Sequence, residues 1–113
     1  MKSNEVYLRH ILDEIDYLLK QAQDLTYDQF LKDETLQRAF ARSFEIIGEA
    51  AKNLSADFKR RHKEIDWRAM SGLRDVLIHR YFEVEWEVVW KVMRDSLPGL
   101  KKAIERALAG FKK

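Results

Sequence analysis

The segment that decides the fold is "LQRAFARSFEIIGEAAKNL", residues 36–54. Leu36, Ala39, Phe40, Ser43, Ile46, Ile47, Ala50 and Leu54 recur at spacings of about three and four. That period places side chains on one face of a helix, whereas a strand needs strict alternation. The spacing predicts a long helix near 34–54, with Asp33 placed to cap it. Gly48 lies inside this helix at a cost of about 1 kcal/mol relative to alanine. Close approach of a second helix is the expected compensation.

Working outward, Val6, Tyr7, Ile11, Ile15, Leu18, Leu19 and Ala22 repeat the same period and predict a helix near 4–24. Thr26 and Gln29 have the spacing of a capping box, so a short helix starts there. Ser55 can cap another short helix, and Asp66 one that begins at Trp67 and runs to about 80. A helix at about 84–95 presents Trp86, Val89, Trp90 and Met93 on one side, a stripe suited to a core or a dimer interface. "SLPGL" (96–100) is expected to break it, with Pro98 in the first turn of a last helix near 98–110. One proline and four glycines leave few other breaks. The fold class read from this pattern is all-α: an up-and-down bundle of four to five main helices in one domain, 1–113.

Such a chain can bury a core without staples, and it has no cysteine to form them. With 46% hydrophobic and 35% charged residues it is neither disordered nor membrane-spanning in composition. Acidic residues interrupt the apolar pattern at the start, which argues against a secretory signal, so the expected location is cytoplasmic. The net charge of +2 is a weak argument for an anionic partner, but its distribution is uneven. Residues 1–57 carry seven Lys/Arg against eleven Asp/Glu, a balance of −4; residues 58–113 carry fourteen against eight, a balance of +6. That asymmetry fits an anionic partner for the second half, or two halves or two chains that attract each other.

"GLRDVLIHRY", residues 72–81, holds the residues best suited to chemistry. Arg74 and His79 are five apart, roughly 140° around an ideal helix, so one straight helix cannot aim both at one point. Asp75 and His79 are four apart and share a face, so a carboxylate–imidazole hydrogen bond is expected. Arg74 and Tyr81, seven apart, nearly align. Two routes bring Arg74 and His79 together: the helix ends near His79, or a second copy supplies the missing group across a two-fold axis. The residue types suit metal-free cleavage of RNA. Histidine moves protons near neutral pH and arginine forks onto phosphate oxygens. One histidine performs half of the proton transfers, which again favours two copies. The same residues also suit an ordinary helix end with a surface ion pair.

Lys59, Arg60 and Arg61, within "KRRHK" (59–63), are candidates for tracking an RNA backbone, or a solvated loop between helices. Glu49 can orient Arg74 or His79, or stand as a surface glutamate. His10 and Glu14, four apart, are too few ligands for a metal, and His62 is isolated, so no metal site and no cofactor is expected.

The order "RSFEIIGEAAKNLS" (42–55), "EIDWRAMSGLRDVLIHRYFEVEWEVVW" (64–90) and "LPGLKKAI" (97–104) resembles the HepT-like family of HEPN domains over nearly the whole chain. The family signature, arginine, four to six residues, histidine, then tyrosine two positions on, is matched by Arg74, His79 and Tyr81. The resemblance implies a HEPN-type bundle and a metal-independent endoribonuclease, the toxin of a type VII-like toxin–antitoxin pair. It implies a homodimer whose two motifs line one cleft, with Arg74 and His79 catalytic and the polar Asp75 beside them. Many members carry asparagine where this chain has Asp75, so this chain adds a negative charge beside the phosphate site. The implied partner is a minimal nucleotidyltransferase antitoxin that transfers AMP to the tyrosine, here Tyr81. A second expectation is a non-catalytic helical module that binds such a transferase and is modified by it.

Overall fold

The computed structural model describes residues 3–111, and of Tyr81 the backbone alone. Helix α1 (Asn4–Ala22) starts where the Ser3 hydroxyl accepts the Val6 amide. Its buried residues are Leu8, Ile11, Ile15 and Leu18, so Leu8, not Val6, begins the core stripe. Helix α2 (Tyr27–Lys32) opens with the Thr26–Gln29 capping box, both of whose hydrogen bonds form. Asp33 then accepts the Leu36 amide at the start of α3 (Glu34–Asn53). Ser55 caps α4 (Ala56–Arg61) and Asp66 caps α5 (Trp67–His79) in the same way. Each cap satisfies an amide that the first helical turn leaves without a partner.

Helix α3 is the centre of the bundle, packing against α1 on one side and α5 on the other. Two buried faces explain why its buried set, which includes Phe40, Ala41, Phe44, Ile47, Gly48 and Ala51, is wider than a single stripe. Gly48 marks the tightest point of the α3–α5 crossing. A Cβ there would collide with the Cβ of Arg74 and lie 2.8 Å from the Met70 carbonyl oxygen. The glycine therefore sets how close the arginine's helix can come. Buried Ser43 donates to Glu14 of α1 at 2.8 Å, so its hydroxyl is not left unsatisfied in the core.

The last two helices differ from the sequence expectation. Helix α6 (Trp86–Lys91) does not break at "SLPGL" but passes through a π-helical turn (Val92–Ser96) into α7 (Leu97–Ala109). Pro98 has no N–H for the Arg94 carbonyl, and its ring would press on that carbonyl in an α-helix. The wider turn, in which the Leu97 amide reaches the Val92 carbonyl, carries the helix past the proline. Lys101 ties α7 to α1 through Asp16 at 2.9 Å. Phe30 packs on Phe40, Trp90 and Trp86, with ring centroids 4.9, 5.4 and 6.1 Å away. Trp90 and Met93 are thus core residues, and this aromatic cluster joins α2, α3 and α6. No strand occurs among the described residues, and the bundle is all-α as the sequence pattern implies.

Candidate active site

Arg74 leaves α5 directly above Gly48, and its side chain is mostly buried between α5 and α3. Its Nη2 forms an ion pair with Glu49 of α3 at 2.9 Å, and its Nη1 donates to Asp75 at 3.1 Å. Lys52 of α3 donates to the same Asp75 oxygen at 2.9 Å. The result is a row of alternating charge: Glu49, Arg74, Asp75, Lys52. Hydrogen bonds from Lys52 and then Arg74 hold the Asp75 carboxyl below the usual carboxylate range. The Nε of Arg74 is buried and has no acceptor.

Beside Arg74 opens a cleft of about 620 Å³ between α1, α3 and α5. Helix α3 contributes Arg42, Glu45, Glu49 and Asn53 to its wall, and α5 contributes Arg74 and Ile78. Arg42 pairs with Glu45 at 3.4 Å, so both guanidinium groups of the cleft already have a carboxylate beside them. The arrangement can present an arginine fork to an anion, provided that the anion displaces or shares the carboxylates.

His79 is elsewhere. It is the last residue of α5, exposed, and does not line this cleft. The helix ends there, as one of the two routes requires, and a short 3₁₀ turn (Tyr81–Glu83) follows. That ending does not bring His79 beside Arg74 within the chain. The expected Asp75–His79 hydrogen bond is also not formed among the described residues. Lys52, a cation on the neighbouring helix, takes the Asp75 oxygen instead, in a charge-assisted hydrogen bond. The side chain of Tyr81 lies outside the described residues.

Of the two readings of the basic stretch, the solvated loop does not hold for its first three residues, while His62 and Lys63 lie in the turn that follows α4. Lys59, Arg60 and Arg61 form the last turn of α4, where positive charge suits the helix dipole. Arg60 and Arg61 both reach Asp57, each at 3.2 Å, and Arg61 lies over the Phe58 ring. His62 stacks on the same ring, 4.3 Å between centroids. Glu14 accepts from Ser43, and His10 meets the Tyr7 ring edge to face. Among the described residues no three His, Asp or Glu side chains are placed to hold a metal ion.

Sequence reasoning missed Lys52, Asn53, Arg42 and Glu45, and it weighed His10 only as a metal ligand. A signal was present. Arg42, Glu45, Glu49 and Asn53 recur at three and four, a polar stripe running along the edge of the apolar one. On α1, Tyr7 and His10 repeat that spacing.

The family model described as "Ribonuclease HepT-like" matches residues 11–107. "Putative RNase TTE0752" of Caldanaerobacter subterraneus is 41% identical over 96% of this chain and 96% of its own length. "Probable ribonuclease HepT" of Thermococcus cleftensis is 42% identical over 93% of this chain and 96% of its own. "Putative RNase MJ0127" of Methanocaldococcus jannaschii is 38% identical over 95% of this chain and 88% of its own. No solved structure matches the chain. With α2 to α6 wholly inside the matched span, most of α1 and α7 also within it, and Arg74 and His79 both covered, this chain belongs to the HepT-like ribonuclease family.

Proposed function

We propose that this chain is a metal-independent endoribonuclease that acts in the cytoplasm as a homodimer, the toxin of a toxin–antitoxin pair. The observation that carries the reading is Arg74: a guanidinium on the wall of an open cleft, with His79 exposed at the end of the same helix. Family membership and the names of the relatives support ribonuclease chemistry. Arg74 would hold the phosphodiester. One His79 would take the 2′-hydroxyl proton as that oxygen bonds to phosphorus. The partner's imidazolium would give a proton to the departing 5′-oxygen, leaving a 2′,3′-cyclic phosphate and a 5′-hydroxyl. Two copies are needed because each chain has one motif histidine, set apart from its own arginine. Ile78 and Phe82, exposed apolar side chains on either side of His79 in the chain, suit contact with a second copy.

A minimal nucleotidyltransferase is the proposed antitoxin, joining the Tyr81 oxygen to the α-phosphorus of ATP with loss of pyrophosphate. Position supports this reading: Tyr81 follows His79 by two residues, in the turn after α5. A bulky anion there would compete with RNA for Arg74. Lys59, Arg60 and Arg61 are proposed to add backbone affinity. Replacing all three by alanine is expected to lower the salt slope of RNA binding by about 2, and an unchanged slope removes them from the interface.

The deciding experiment uses purified, unmodified protein with RNA and a metal chelator. Cleavage that vanishes in His79→Ala supports the enzyme. No cleavage, with transferase binding and label transfer from ATP to Tyr81, supports the non-catalytic module, a reading favoured by the carboxylates that already flank Arg74.

A further inference from the structure

We infer that the cleft between α1, α3 and α5 is a nucleobase subsite, in which Tyr7 and His10 receive one base of the RNA next to the phosphate held by Arg74. The inference rests on the ribonuclease reading for its ligand, and on the cleft itself for its chemistry. Tyr7 and His10 project from α1 into the cleft opposite the polar stripe of α3. Their rings meet edge to face, 6.5 Å between centroids and 83° between planes. A flat π-face beside a polar wall is what an unstacked base requires, since bases bind single-strand sites by stacking and by hydrogen bonds to their edges. Asn53 and Glu45 supply such edge partners on α3.

Charge decides between base and phosphate. The cleft holds two guanidinium groups and two carboxylates, already paired as Arg42–Glu45 and Arg74–Glu49. Such a lining is formally neutral and would not concentrate phosphodiester anions, but it provides both donors and acceptors for a neutral heterocycle. The cations that line the cleft are Arg74 on the α5 wall and Arg42 on α3, whose contact to Glu45 is 3.4 Å long. A base seated between α1 and α3 would leave its phosphate at the α5 wall, beside Arg74. The volume of about 620 Å³ lies within the ~300–1,000 Å³ common for small-molecule sites.

The test separates this site from the cleavage reaction. Four homopolymeric 2′-fluoro oligonucleotides, which lack the attacking hydroxyl, are titrated against the full chain, against His10→Ala, and against Tyr7→Leu. The leucine keeps apolar packing where alanine would weaken the fold, and melting curves confirm that each variant is folded. The wild-type chain is expected to prefer one base, and each variant to lose about tenfold in affinity for it and to flatten the preference. Unchanged affinity and preference in both variants would overturn the subsite, as would absence of binding to all four. If affinity and preference survive in both variants while RNA cleavage remains dependent on His79, the subsite fails and the ribonuclease reading stands. If His10-dependent, base-selective binding is found and no RNA is cleaved, the subsite stands and the ribonuclease reading fails.

Discussion

Arg74 and His79 share helix α5 and almost nothing of their surroundings. The arginine is wedged over Gly48, flanked by Glu49 and Asp75, and faces a cleft. The histidine stands exposed on the last turn, at the start of a short 3₁₀ connection. One chain thus sets Arg74 firmly in place and leaves His79 open to another surface. The first way to break this contrast is to remove each group in turn. His79→Ala is expected to lower RNA cleavage about 10²- to 10⁴-fold while leaving the urea midpoint where it was. Arg74→Ala is expected to lose cleavage as fully and also up to about 1 kcal/mol of stability, because Glu49 and Asp75 lose their shared cation. Equal stability losses in both would show that His79 is as tightly held as Arg74.

The next largest effect concerns the floor under the arginine. Gly48→Ala adds a Cβ where the Arg74 Cβ and the Met70 carbonyl already sit. Overpacking costs about 1–3 kcal/mol, against a gain of about 1 kcal/mol in helix propensity. Net destabilisation is expected in urea denaturation. Because the collision is with Arg74 itself, cleavage should fall further than the unfolded fraction explains. A variant as stable and as active as the parent would mean that α5 can move off α3 freely.

Asp75→Asn sharpens the electrostatic side of the comparison. The Asp75 carboxyl sits below its usual range because Lys52, and then Arg74, hydrogen-bond it. Its contribution to stability is therefore present above the unfolded carboxylate value of about 3.9 and is lost as pH falls through the lowered folded value. The asparagine variant should lack that acid-side loss. Removing the charge beside Arg74 should also tighten RNA binding at low salt, an effect that fades as salt screens the exposed carboxylate. Weaker binding would mean that Asp75 positions the guanidinium rather than competing with phosphate.

Much of this architecture was readable because it is written locally. Asp33, Ser55, Asp66 and the Thr26–Gln29 pair name their helix starts through hydrogen bonds three residues long. Gly48 announced a close approach, though not that Arg74 would be the residue approaching. What stayed hidden depends on neighbours far along the chain. Lys52 captures Asp75 from another helix, so the i,i+4 rule that pairs Asp75 with His79 was outcompeted. Tyr7 and His10 reach the cleft only because α1 lies along α3. Pro98 signalled a break, and a π-turn absorbed it, since Met93 and Leu97 are buried on both sides and hold the helix to the core.

The smallest effect tests the open side of α5. Gly72 sits in the middle of the helix with nothing within 4 Å of a Cβ built on it, in contrast to Gly48. Within a single chain this glycine has no packing reason, and replacing it with alanine should raise the unfolding free energy by roughly 0.5–1 kcal/mol. Its position suggests what it is for. Gly72 and His79 are seven apart, about 20° from the same direction around the helix, whereas Arg74 points to the other side. A second copy that approaches His79 would pass over Gly72, where a bare backbone permits the closest contact. Gly72→Ala is then expected to stabilise the dilute chain while weakening self-association and cleavage together, read by denaturation, sedimentation and RNA turnover on one preparation. If stability rises while assembly and turnover are untouched, the proposed second copy does not come in along this face.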